Sequence, residues 1–316
     1  MGFCLAAAAT AVSVSSCSKK QHENPFLKPY ETIYEIPPFE DILIEDYIPA
    51  FDAGIAEAKN SIDSIVNNPE APTFANTILP LDYLSPTLER VMGVLMSLTE
   101  AHSSPELIEV SENLLPRYTA FNDELMMNQG LFNRVKEIYD RRDSLGLAHD
   151  EIRAVEETYR QFARNGALLP ADKQEQLKAV NSRLTDLYLK FNKNLLAANN
   201  AFEIVVDNEA DLDGIPASTV ANAAEEAKAR GKEGKWVFTL HAPSRLPVLQ
   251  YADNRVLREK MWKGYTNNAQ SGENNNCPVI AEIVKTRAEK ASIMGYPDFA
   301  SYMTEQVMAK TPQAAE

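Results

Sequence analysis

The feature that most constrains this chain is a helical period that returns, segment after segment, from about residue 40 onward. Phe51, Ile55, Ala58, Ile62 and Ile65 step by 4, 3, 4 and 3, which holds them on one face of an α-helix. Ser85-Pro86 opens another helix, with serine as the cap and proline in the first turn, and Leu88, Val91, Leu95 and Leu98 follow at core spacing. Ser104-Pro105 repeats the opener ahead of Leu107, Leu114, Tyr118, Phe121 and Leu125. Shorter helices are predicted at 131–143 and 150–164, the second capped by Asp150 and faced by Ile152, Val155, Tyr159 and Phe162. The longest runs from about Pro170 to Asn199, and its Leu177, Val180, Leu184, Leu187, Phe191 and Leu195 read as an ordinary core stripe rather than a cofactor surface.

Between 202 and 241 the period changes. Phe202-Glu203-Ile204-Val205-Val206 is rich in β-formers, and Trp236, Phe238 and Leu240 alternate with Val237 and Thr239. A helix at about 217–230, ended by Gly231, separates the two. Helices resume at 247–266 and from Pro278 to Met294, stopped by Gly295. The fold class is therefore mainly α, with one small strand–helix–strand insertion near 202–241.

Composition narrows the function. Lys and Arg number 31 against 45 Asp and Glu, a net charge of −14, which argues against a nucleic-acid partner, because phosphates need a basic face. Three cysteines in 316 residues rule out a disulfide-built scaffold. The four histidines, His22, His102, His149 and His241, never fall within one helical turn of each other, which is the spacing a helical zinc site needs. Cys-x-x-Cys, Gly-x-Ser-x-Gly and phosphate-loop motifs are all absent from the sequence.

The beginning of the chain reads as an export signal. Residues 2–17 form a small apolar run too short to span a bilayer, ending in Val14-Ser15-Ser16-Cys17, which resembles a bacterial lipobox. No Lys or Arg precedes the run, so the start codon is expected a few codons upstream. The expected organisation is a signal peptide at 1–16, a lipidated tether and linker at 17–40, and a helical region at 41–316. Cys17 is the expected lipidation site, the membrane the partner it would engage, and the periplasmic side of a bacterial membrane the expected location. With Cys4 removed and Cys17 acylated, Cys277 would stand alone, so stability must come from packing. At the other end, Thr311-Pro312 caps and opens a helix just before residue 316, which reads as a truncated product.

Several ordered stretches carry a resemblance. They are Asn24-Pro25-Phe26-Leu27, Phe74-Ala75-Asn76-Thr77-Ile78, Ala101-His102-Ser103-Ser104-Pro105-Glu106-Leu107, Arg141 to Leu147, Phe191 to Asn199, Arg258-Glu259-Lys260 and Met308-Ala309-Lys310-Thr311-Pro312. Together they resemble the N-terminal half of the thimet oligopeptidase family of zinc metallopeptidases, its peptidyl-dipeptidase members first and the oligopeptidase A type second. The resemblance covers residues 24 to 316. It implies a helical lobe of a two-lobed enzyme whose channel admits short unfolded peptides, and a zinc ion held by a His-Glu-x-x-His helix and a downstream glutamate. Those residues belong to the other half of such enzymes. No catalytic or metal-binding residue is assigned here, the zinc is expected only in the full-length protein, and this chain is expected to be inactive without its C-terminal half.

Single residues do not change that reading. His102, His149 and His241 read as surface or hydrogen-bonded histidines, and Glu156-Glu157 and Glu225-Glu226 as solvated helix faces. Asn274-Asn275-Asn276 reads as a loop. The alternatives to a peptidase half are a lipid-anchored helical module that binds peptides or another envelope protein without catalysis, and a passive helical scaffold.

Overall fold

The computed structural model describes residues 22–316. Its helices are α1 (Tyr47–Val66), α2 (Leu79–Asp82), α3 (Pro86–Ala101), α4 (Pro105–Met126), α5 (Gln129–Arg141), α6 (His149–Arg164) and α7 (Ala171–Ala201), then α8 (Ala217–Ala229), α9 (Ala242–Tyr251), α10 (Arg255–Thr266), α11 (Cys277–Ile293), α12 (Phe299–Thr304) and α13 (Pro312–Ala315). Two short strands, β1 (Ile204–Val206) and β2 (Trp236–Phe238), complete the set. The described chain is mainly α, as its periodicity requires. It divides into two compact units, one formed by the described residues up to Lys59 with Ser85–Val110, the other by Asn60–Leu84 with Ser111–Glu316.

The first unit is organised around a buried aspartate. Asp46 accepts the Leu43 backbone N–H at 2.8 Å and the His22 imidazole at 2.8 and 2.9 Å, while its carbonyl takes the Asn24 side-chain amide. These bonds seat a short 3₁₀ turn, Pro25–Leu27, whose Phe26 is wholly buried against Tyr47 at a ring separation of 5.0 Å. Burial pushes the Tyr47 phenol up to about 12, helped by Tyr30 and Asp46. The segment thus packed lies within the stretch read from sequence as tether and linker; Cys17 and the apolar run before it lie outside the described residues. Ser85 caps α3 as expected, its hydroxyl accepting the Leu88 N–H at 3.0 Å and donating to Glu57 at 2.7 Å.

In the second unit, α7 and α11 pair along Val180, Leu184, Val279 and Ile283, with Leu187, Tyr188, Phe191 and Ile293 packed beside them. The long stripe is thus core. Its Asn-rich end is fastened by polar contacts: Asn276 is buried, donates to the Phe191 carbonyl at 2.9 Å and accepts from Asn194 at 2.9 Å. The triple-asparagine loop read from sequence therefore ends in a buried polar clamp.

The insertion is an antiparallel pair, with Ile204 opposite Phe238 and Val206 opposite Trp236, joined through α8. Ile204, Val206, Phe238, Val248, Leu257 and Met261 share one small core. Gly231 and Gly295 end their helices at positive φ, as expected.

Three local expectations are corrected. The 150–164 helix begins at His149, because Glu151 reaches back to the Ala148 N–H at 2.8 Å; Asp150 lies in the first turn and is not the cap. The helical stretch predicted at 247–266 starts earlier, at Ala242, and comprises two helices, α9 and α10, since the Asn254 side chain caps the N–H groups of Val256 and Leu257 and starts a new helix. The second strand, expected to alternate through Leu240, stops at Phe238, and His241 stands at the start of α9.

Candidate functional site

Among the described residues, no three His, Cys, Asp or Glu side chains converge as metal ligands. His22 is bound to Asp46, and His102, His149 and His241 are exposed on separate elements. The described residues do not fit a zinc ion. The acidic pairs are occupied by neighbours: Glu156 meets Arg142 at 3.2 Å, Glu157 meets Arg160 at 2.9 Å, and Glu226 meets Arg230 at 2.7 Å. Glu225 is exposed. Such pairs are framework contacts on helix faces and contribute little each.

An open pocket of about 350 Å³ in the second unit lies among α4, α7, α11 and α12. Asp123 of α4 is only 5% exposed there. It accepts a hydrogen bond from the Asn181 amide at 2.7 Å, yet burial still raises its carboxyl above the usual carboxylate range. The Asn181 Oδ1 is buried and receives no donor. One turn on, the Thr185 hydroxyl donates to the Asn181 carbonyl at 3.2 Å and shares a 2.9 Å bond with Thr119.

Lys290 of α11 enters the same cavity. Burial lowers its ammonium pKa, with Arg164 acting in the same direction and Asp123 opposing both. Nothing among the described residues forms an ion pair with it within 4.0 Å. Arg164 fixes the neighbouring wall: its guanidinium stacks over Tyr302 at 4.3 Å, donates to the Tyr296 hydroxyl at 3.1 Å, and binds the Tyr302 carbonyl and Glu305.

Sequence reading passed over this cluster. The signal was present on α11, where Val279, Ile283, Thr286 and Lys290 step by 4, 3 and 4, so two polar residues continue an apolar stripe. Tyr118, predicted as core, is partly exposed and lines the cavity.

The stretches that carried the family resemblance prove to be fastenings. Phe74–Ile78 is a single π-helical turn in which Asn76 and Thr77 receive the buried Arg134 guanidinium at 3.2 and 3.3 Å. Asn194 and Asn199 of α7 bond to Asn276 and Asn268. Thr311 caps α13.

Two family models match parts of the chain: the neurolysin/thimet oligopeptidase N-terminal domain over residues 52–174, and peptidase family M3 over residues 248–316. The chain belongs to this family of thimet oligopeptidase-type peptidases. It is 35% identical to dipeptidyl carboxypeptidase of Escherichia coli over 293 residues, 92% of this chain and 43% of that protein. It is 31% identical to oligopeptidase A of the same bacterium and 30% identical to an organellar oligopeptidase A of Arabidopsis thaliana, which cover 92% and 93% of this chain. The chain spans less than half the length of these relatives, 43% of the first.

Proposed function

We propose that this chain serves in the hydrolysis of short peptides, as the helical N-terminal part of a zinc-dependent peptidase that releases dipeptides from C-termini. The observation that carries the reading is the 35% identity to a dipeptidyl carboxypeptidase along 92% of the chain, against 30–31% to oligopeptidase A. The 316 residues contain no His-Glu-x-x-His, and the described residues offer no zinc ligand set, so we assign no chemical step to them. Their part is to shape the passage through which short peptides reach the hydrolytic residues. Incubation of this chain with an N-blocked tetrapeptide and zinc, beside the same chain extended through any downstream reading frame, tests it. Chelator-sensitive release of a C-terminal dipeptide by the extended protein alone is expected. Cleavage by the 316-residue chain itself would overturn the division of labour, and an inactive extended protein would overturn the peptidase reading in favour of a binding module.

We also propose that Cys17 is acylated and holds the mature protein on the periplasmic side of a membrane. Val14-Ser15-Ser16-Cys17 supports this, and no helix among the described residues is long and apolar enough to cross a membrane. Cys17→Ala is expected to abolish incorporation of labelled fatty acid in bacterial cells; persistent labelling would refute it.

A further inference from the structure

The cavity around Asp123 and Lys290 contains opposite charges that do not meet. On the α4 and α7 side stands the Asp123 carboxylate, held by the Asn181 amide nitrogen at 2.7 Å, while the Asn181 Oδ1 is closed off from solvent and receives no donor. On the α11 side stands the Lys290 ammonium, with three donors and no carboxylate within 4.0 Å among the described residues. A buried acceptor without a donor, and a half-buried cation without an anion, each carry a desolvation cost. Burial is accordingly the leading cause of the pKa displacement on both residues, upward for Asp123 and downward for Lys290.

A guest that brought an ammonium to Asp123 and a carboxylate to Lys290 would pair both charges at once. Phe299, Tyr302, Tyr188 and Leu184 supply apolar surface for what lies between. About 350 Å³ is room for roughly a dozen waters, hence for a molecule of about that many heavy atoms.

We propose that this cavity binds a small zwitterion, a free α-amino acid or a dipeptide of small residues, with its ammonium at Asp123 and its carboxylate at Lys290. The inference is independent of the peptidase reading, because it holds or fails on binding alone.

The test uses the whole 316-residue chain and NMR titration with leucine, alanyl-alanine, N-acetyl-leucine and leucinamide. Saturable binding of leucine or alanyl-alanine at concentrations up to ~10 mM is expected, with blocked forms at least about tenfold weaker, as loss of one charged contact requires. Lys290→Met should erase the preference for leucine over leucinamide, and Asp123→Asn the preference over N-acetyl-leucine. Should either variant fail to fold, amine-reactive labelling of the unaltered protein gives the same information: leucine should protect Lys290 and leucinamide should not. No saturation by any zwitterion, or binding and protection indifferent to the blocked termini, would overturn the proposal.

Discussion

At the residue scale, Lys290 and Arg134 show how differently two sequestered cations are treated. Arg134 donates to the carbonyls of Asn68 and Glu70 and to the side chains of Asn76 and Thr77, so its planar fork holds the π turn Phe74–Ile78 against α5. Arg134→Met is expected to cost about 1–3 kcal/mol in urea denaturation, and Arg134→Lys to recover little of it, because one ammonium cannot span four acceptors. Lys290 has no such set. Its folded pKa lies below the 10.5 of an exposed lysine, chiefly through burial. Between those two values the unfolded chain binds more protons, so stability contributed by this group rises with pH across that alkaline window. Lys290→Met should lose that rise; parallel pH profiles of wild type and variant in urea melts would refute the assignment.

At the element scale, the sheet insertion depends on close backbone approach. Gly214 sits at φ 84°, and a Cβ there would lie 2.2 Å from the Tyr251 carbonyl oxygen and 3.1 Å from the Asp253 N–H nitrogen. Only glycine admits that approach, which lets Asp253 donate to the Asp213 carbonyl at 2.8 Å and brings the end of α9 onto the insertion. Gly214→Ala should destabilise by about 2–4 kcal/mol, from crowding and the left-handed backbone together, seen as a lower urea midpoint at unchanged slope. An unaltered midpoint would mean that the contact relaxes freely. The helices themselves were legible because their caps are local: Ser85, Ser104, Asn254 and Thr311 each accept backbone N–H groups within three residues. Asn254 shows what such a signal does, since its side chain starts a new helix within the stretch 247–266.

At the scale of the whole molecule, charge and exposed apolar surface oppose one another. Trp262 is 56% exposed, and Val256, Ile280, Val284 and Met308 are also open to solvent. At pH 7 the net charge of −14 keeps molecules apart, while near the isoelectric point of about 4.9 that repulsion vanishes. Light scattering across pH should therefore show self-association rising toward pH 4.9 and reversing on return to neutrality; scattering independent of pH would show that charge is not what holds the molecules apart. The mainly helical class and the place of the two strands followed from sequence alone, because helix period, β-rich composition and capping are written in residues three or four apart, while the family came from resemblance of ordered stretches of residues. The Asp123–Asn181–Lys290 cavity did not, since its members stand 58 and more positions apart along the chain. Only the packing of α4, α7, α11 and α12 brings them together, and only burial turns three ordinary polar side chains into groups whose charges and hydrogen bonds demand a partner.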